Sequence, residues 1–104
     1  MMPQKKSEAA IERECIAYLE SYGCAIVKTH DAKHRPVRPG TWDAVGTLPD
    51  GRFVAIEFKR PGEELSPEQI QWEYRLPRAA LRLIARSLEQ VEAWYATVRK
   101  WEAK

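Results

Sequence analysis

Apolar residues at Ile11, Cys15, Tyr18, Leu19 and Tyr22 recur every three or four positions, the spacing of one face of a helix. Ser7 supplies an N-cap ahead of that stripe, and Gly23 stands where helices commonly end, so a first helix is predicted from about Ser7 to Tyr22. Cys24-Ala25-Ile26-Val27-Lys28-Thr29 then reads as a short buried strand. Thr41 to Leu48 and Arg52 to Lys59 read as a second and a third strand, joined through the hairpin signal Leu48-Pro49-Asp50-Gly51-Arg52. Side chains alternate along a strand, so Val54, Ile56 and Phe58 share one face as core candidates, and Glu57 and Lys59 share the other.

The second half of the chain returns to helical spacing. Ser66-Pro67-Glu68-Gln69 opens a helix that ends before Pro77, with Ser66 as N-cap, Pro67 in the first position and Gln69 completing a capping box. Leu81-Arg82-Leu83-Ile84-Ala85 reads as a fourth strand. Ser87-Leu88-Glu89-Gln90 reads as a second capping box, heading a last helix with Leu88, Val91, Trp94, Tyr95, Val98 and Trp101. The order α-β-β-β-α-β-α predicts an α/β domain, a mixed sheet with helices packed on it.

Composition adds bounds. A length of 104 residues suits one domain over 1–104, with a modest core. The net charge of +2 says little about partners, but its distribution says more. The predicted loop from His30 to Pro39 carries Lys33, His34, Arg35 and Arg38 against Asp31 alone, and Lys28 precedes it. Such a run is usually a solvated loop, and beside an acid cluster it gains weight as a nucleic-acid surface. Cys15 and Cys24 lack metal or redox spacing and read as buried hydrophobes in a reducing compartment. The N-terminal residues lack the apolar run of a signal peptide, and no stretch approaches membrane-spanning length, so a cytoplasmic protein is expected.

The candidate chemistry lies around the hairpin. A turn at Asp50-Gly51 brings Asp43 of Gly40-Thr41-Trp42-Asp43 back beside Glu57 and Lys59. Taken alone, Glu57-Phe58-Lys59 is what many exposed strand faces carry. Here it ends a strongly apolar strand, where charge is usually avoided, and an acid stands on the neighbouring strand. Two carboxylates and an amine on one sheet face suit a divalent cation and a phosphodiester, whose hydrolysis must activate water and offset charge on the phosphoryl group. Asp43, Glu57 and the Phe58 backbone carbonyl are the candidate oxygen ligands, and Lys59 the candidate for charge stabilisation.

In this order and spacing, a first-helix Glu, Gly40-Thr41-Trp42-Asp43, Ile56-Glu57-Phe58-Lys59 and Ser66-Pro67-Glu68-Gln69 resemble the PD-(D/E)XK nucleases, and most closely the virus-type replication-repair nuclease domain, VRR-NUC. The resemblance runs from about Ser7 to Trp94. It implies a restriction-endonuclease-like fold and DNA cleavage dependent on Mg²⁺ or Mn²⁺. It makes Asp43 and Glu57 metal ligands and Lys59 the catalytic lysine. Small members of this kind are phage or bacterial proteins that act as homodimers on branched DNA in repair and recombination. The chain departs at Trp42, where the family commonly has Pro. That residue is either core packing or a surface for stacking an unpaired base.

Alternatives stay open within the motif. Glu8 and Glu12 are four apart and share a helix face, and either can be the first-helix acid; the VRR-NUC pattern favours Glu8 as a further ligand, and the related junction-resolvase pattern favours Glu12. Gln69 is either a capping residue alone or the glutamine that faces the active site in this family. Lys28, Lys33, Arg35 and Arg38 are candidates for phosphate contact. A metal-dependent endonuclease acting on Holliday-junction or flap-like DNA is the leading expectation, with a non-catalytic nucleic-acid-binding module of the same fold as the alternative. Trp94 and Trp101 exceed what one buried stripe requires, which points to a homodimer surface on the last helix.

Overall fold

The computed structural model describes residues 6–29 and 42–101. Its elements follow the predicted order: α1 (Glu8–Ser21), β1 (Ala25–Lys28), β2 (Ala44–Thr47), β3 (Phe53–Phe58), α2 (Pro67–Arg75), β4 (Leu81–Ala85) and α3 (Leu88–Val98). The strands form one sheet in the order β1-β2-β3-β4. β2 is antiparallel to both β1 and β3, and β4 is parallel to β3, so the sheet is mixed.

Local chemistry accounts for most boundaries. The Ser7 hydroxyl accepts from the Ala10 N–H at 3.1 Å and starts α1. Gly23, at φ 92°, turns the chain out of α1 into β1. Gly51 takes the same conformation in the hairpin, its N–H donating to the Leu48 carbonyl at 2.8 Å. Between β1 and β2 the backbones run close. A Cβ at Gly46 would lie 2.0 Å from the Ala25 carbonyl oxygen.

One sheet face carries the main core. Ile11, Cys15 and Leu19 of α1 and Val91, Tyr95 and Val98 of α3 pack with Val54, Ile56, Phe58, Leu83 and Ala85. Both cysteines are buried and free, as read from the sequence. The other face of β3 is covered as well, since Ala55 and Glu57 are both buried. Trp42 is also buried, and its carbonyl accepts the Thr29 hydroxyl, so its ring is a packing element rather than a base-stacking surface. No described helix is long and apolar enough to cross a membrane.

Two expectations about α3 need correction. Ser87 caps it, accepting from the Gln90 N–H, but Gln90 does not close a capping box. Its Oε1 accepts from the Arg86 N–H at 2.7 Å and its Nε2 donates to the Ile84 carbonyl, tying the helix to the end of β4. The helix stops at Val98, so Trp101 is not on it. Arg52, from the hairpin, donates to the Val98 carbonyl, and the Trp101 N–H turns back to the same carbonyl. Trp101 lies in the turn beyond, 58% exposed, while Trp94 packs half-buried against the core.

Candidate active site

The hairpin sets the geometry. The ladder ends at Ala44 and Ile56, and just beyond it the side chains of Asp43 and Glu57 come together. The Asp43 N–H donates to the Ile56 carbonyl, and the Asp43 carbonyl accepts from the Thr29 N–H, at 3.0 Å each. Its side-chain Oδ2 accepts the Phe58 N–H at 2.8 Å, which fixes the carboxylate against the end of β3.

Glu57 is 1% exposed. Its Oε2 accepts from Gln69 Nε2 at 2.8 Å. Its Oε1 is buried without a hydrogen-bond partner, the one such side-chain atom among the described residues. Burial pushes the Glu57 carboxyl up to about 9, the Asp43 charge and a hydrogen bond between the two carboxyls push the same way, and Lys59 opposes them. A buried acid with an empty oxygen beside a second acid is a site short of positive charge.

Gln69 both caps α2 and contacts Glu57. Its Oε1 accepts the Ser66 N–H at 2.8 Å, its own N–H donates to Ser66 Oγ, and its Nε2 holds Glu57. One amide thus starts α2 and grips the buried acid. Lys59 is half-buried on the Glu57 face, with its N–H bonded to the Ala85 carbonyl.

The structure separates the two first-helix acids. Glu8, at the start of α1, has its carboxyl raised by burial first and then by the charge of Glu63; Lys59 draws it down and Asp43 raises it. It therefore stands within the field of the site. Glu12 turns toward Lys28, with Oε2 4.0 Å from Nζ. Lys28 itself is exposed at the end of β1 and pairs with Ala44, so its side chain projects to the face opposite that of Asp43 and Glu57. Lys33, Arg35 and Arg38, with His30 and His34, lie outside the described residues.

A divalent cation fits the donors present. Among the described residues no three His, Cys, Asp or Glu side chains converge, so the inner set is the two carboxylates of Asp43 and Glu57, and Glu8 stands apart from it. A hard cation that keeps several waters needs no more, and the orphaned Glu57 Oε1 is an oxygen it could take.

Two arginines near the site escaped notice in the sequence. Arg86 donates to the Arg60 and Glu63 carbonyls at 3.0 and 2.6 Å and pins the loop after β3. Arg82 donates to carbonyls at the end of α2. For Arg82 the available signal was a charged residue inside an apolar strand; Arg86 lies just past the end of β4.

A solved structure described as a VRR-NUC domain superposes on 86% of this chain and 94% of its own, with a TM-score of 0.71 and 22% identity. The chain has the VRR-NUC fold. No protein-family model and no curated protein matches it. The four-stranded mixed sheet and three helices are consistent with that fold.

Proposed function

We propose that the chain is a single-domain, divalent-metal-dependent endodeoxyribonuclease that hydrolyses phosphodiester bonds in branched DNA. The observation that carries this reading is the carboxyl pair Asp43 and Glu57, with the partnerless Glu57 Oε1 beside Lys59. Asp43, Glu57 and the Phe58 carbonyl would hold Mg²⁺ or Mn²⁺, with Glu8 as an acid at the rim. Such a cation polarises a phosphoryl oxygen and makes its bound water more acidic. Lys59 offers an ammonium on the same face, placed to orient the attacking water or to offset charge on the phosphate. Gln69 keeps the Glu57 carboxylate oriented. Lys28 at the end of β1, with Lys33, Arg35 and Arg38 of the basic segment that follows it, would take flanking phosphates. No described helix presents itself for reading bases, which favours recognition by DNA shape. A homodimer would supply two such centres for symmetric cutting of a junction.

The test is incubation with duplex, flap, fork and four-way-junction DNA in Mg²⁺, Mn²⁺ or EDTA. Cleavage of a branched form that EDTA abolishes supports the proposal. Salt-sensitive binding without cleavage under any cation would replace it with the non-catalytic binding module.

A further inference from the structure

α2 is the one described helix without a fully buried residue, and it reaches the sheet through polar contacts at its two ends. At its start, Gln69 bonds Glu57. At its end, the Arg82 guanidinium collects carbonyls of the last turn and of the segment that follows it, joining the Leu76 N–H already bonded to Glu73 O. Nη2 donates to Leu76 O at 2.9 Å and to Glu73 O at 3.3 Å, Nε reaches Glu73 O at 3.4 Å, and Nη1 takes Ala80 O at 3.3 Å. A cation here also faces the negative end of the helix dipole. Arg82 stands opposite Ala55 in the β3–β4 ladder, and Ala55 and Glu57 share a face. The clasp and the carboxylate pair therefore lie on one side of the sheet, with α2 running between them.

We propose that Arg82 is a positioning residue: it fixes the C-terminal end of α2 and so determines where Gln69 meets Glu57. With no fully buried residue to hold it, α2 leans on these two attachments, and loosening one loosens the other. A planar fork suits several carbonyls at once in a way that a lysine ammonium does not. The consequence for rate rests on the nuclease reading; the structural coupling does not.

The experiment compares wild type, Arg82→Ala, Arg82→Lys and Gln69→Ala as full-length chains. Amide hydrogen exchange and the NMR signal of the Gln69 side-chain amide are read first. Arg82→Ala should lose protection across α2 and move the Gln69 amide toward a solvated position, while β3 and β4 stay protected and Arg82→Lys recovers part of the effect. Unchanged α2 protection would overturn the proposal. So would a uniform loss across the chain in both Arg82 variants, which would make the residue a general support of the fold. On whichever DNA form the wild type cuts, Arg82→Ala should lower kcat roughly tenfold or more with KM little changed, the size of effect seen when the support behind a metal ligand is removed. Adding it to Gln69→Ala should cost nothing further, and additive losses would overturn the coupling. If the wild type cuts no DNA, the nuclease reading fails while the exchange data still decide the role of Arg82.

Discussion

Glu57 is the one charged residue among the described residues that is fully buried. Its proton is held in the folded chain up to about pH 9, well above the ordinary value of 4.5. The folded state therefore binds this proton more tightly than the unfolded state. Its contribution to stability is present in full below about pH 4.5 and is lost as pH rises toward 9, by roughly 1.4 kcal/mol for each unit of separation. In EDTA the Tm is expected to fall between about pH 6 and pH 9, and Glu57→Gln should flatten that slope; an equal slope in the variant would place its origin elsewhere. Mg²⁺ or Mn²⁺ competes with the proton, so either should raise Tm more at the alkaline end. Lys59→Ala should keep a cooperative thermal transition and lose cleavage by on the order of 10² or more. Near-wild-type cleavage by that variant would sink the proposed role. Gln69→Glu preserves the capping group yet sets a carboxylate against Glu57, so it should retain α2 and lose activity, as circular dichroism and a cleavage assay would report.

At the scale of elements, what the sequence disclosed depended on the distance between interacting residues. The α2 capping box was legible because Ser66 and Gln69 lie within one turn. The meeting of Asp43 and Glu57 was legible because a tight turn joins their strands and the period-two pattern gives their faces. The different surroundings of Glu8 and Glu12 were not, because residues four apart share a helix face, and only the tertiary structure sets Glu12 beside Lys28 and Glu8 in the field of Lys59. The end of α3 was hidden for a related reason: the Arg52 that takes the Val98 carbonyl comes from 46 residues earlier. The second use of Gln90, bonded to Arg86 and Ile84, and the clasp of Arg82 likewise join separate elements. Ser66→Ala should cost about 1 kcal/mol in chemical denaturation, as loss of an N-cap does. Gly46→Ala is expected to be worse, in the range of about 1–3 kcal/mol or more, because the added methyl meets backbone that cannot swing aside. A neutral Gly46→Ala would show that β1 can shift away from β2.

At the scale of the whole molecule, the proposed DNA surface and the proposed dimer surface are separately testable. Replacing Lys33, Arg35 and Arg38 together by Ala should weaken DNA binding and flatten its salt dependence, by about one unit of slope for each phosphate the loop no longer neutralises. An unchanged slope would show that these three residues do not contact DNA phosphates. Light scattering should give a dimeric mass, and Trp101→Glu should lower it if the exposed ring after α3 is part of the interface. A monomer that cuts both strands of a junction would refute the dimer. The hairpin between β2 and β3 also has a consequence for how the chain acquires its shape. It is a local, antiparallel pairing, the kind that closes early in folding because little chain entropy is lost. It brings Asp43 and Glu57 together before distant α2 can deliver Gln69. The folding chain thus meets the repulsion of its two acids at an early stage, and refolding should run faster in mild acid, or with a divalent cation, than at alkaline pH in EDTA.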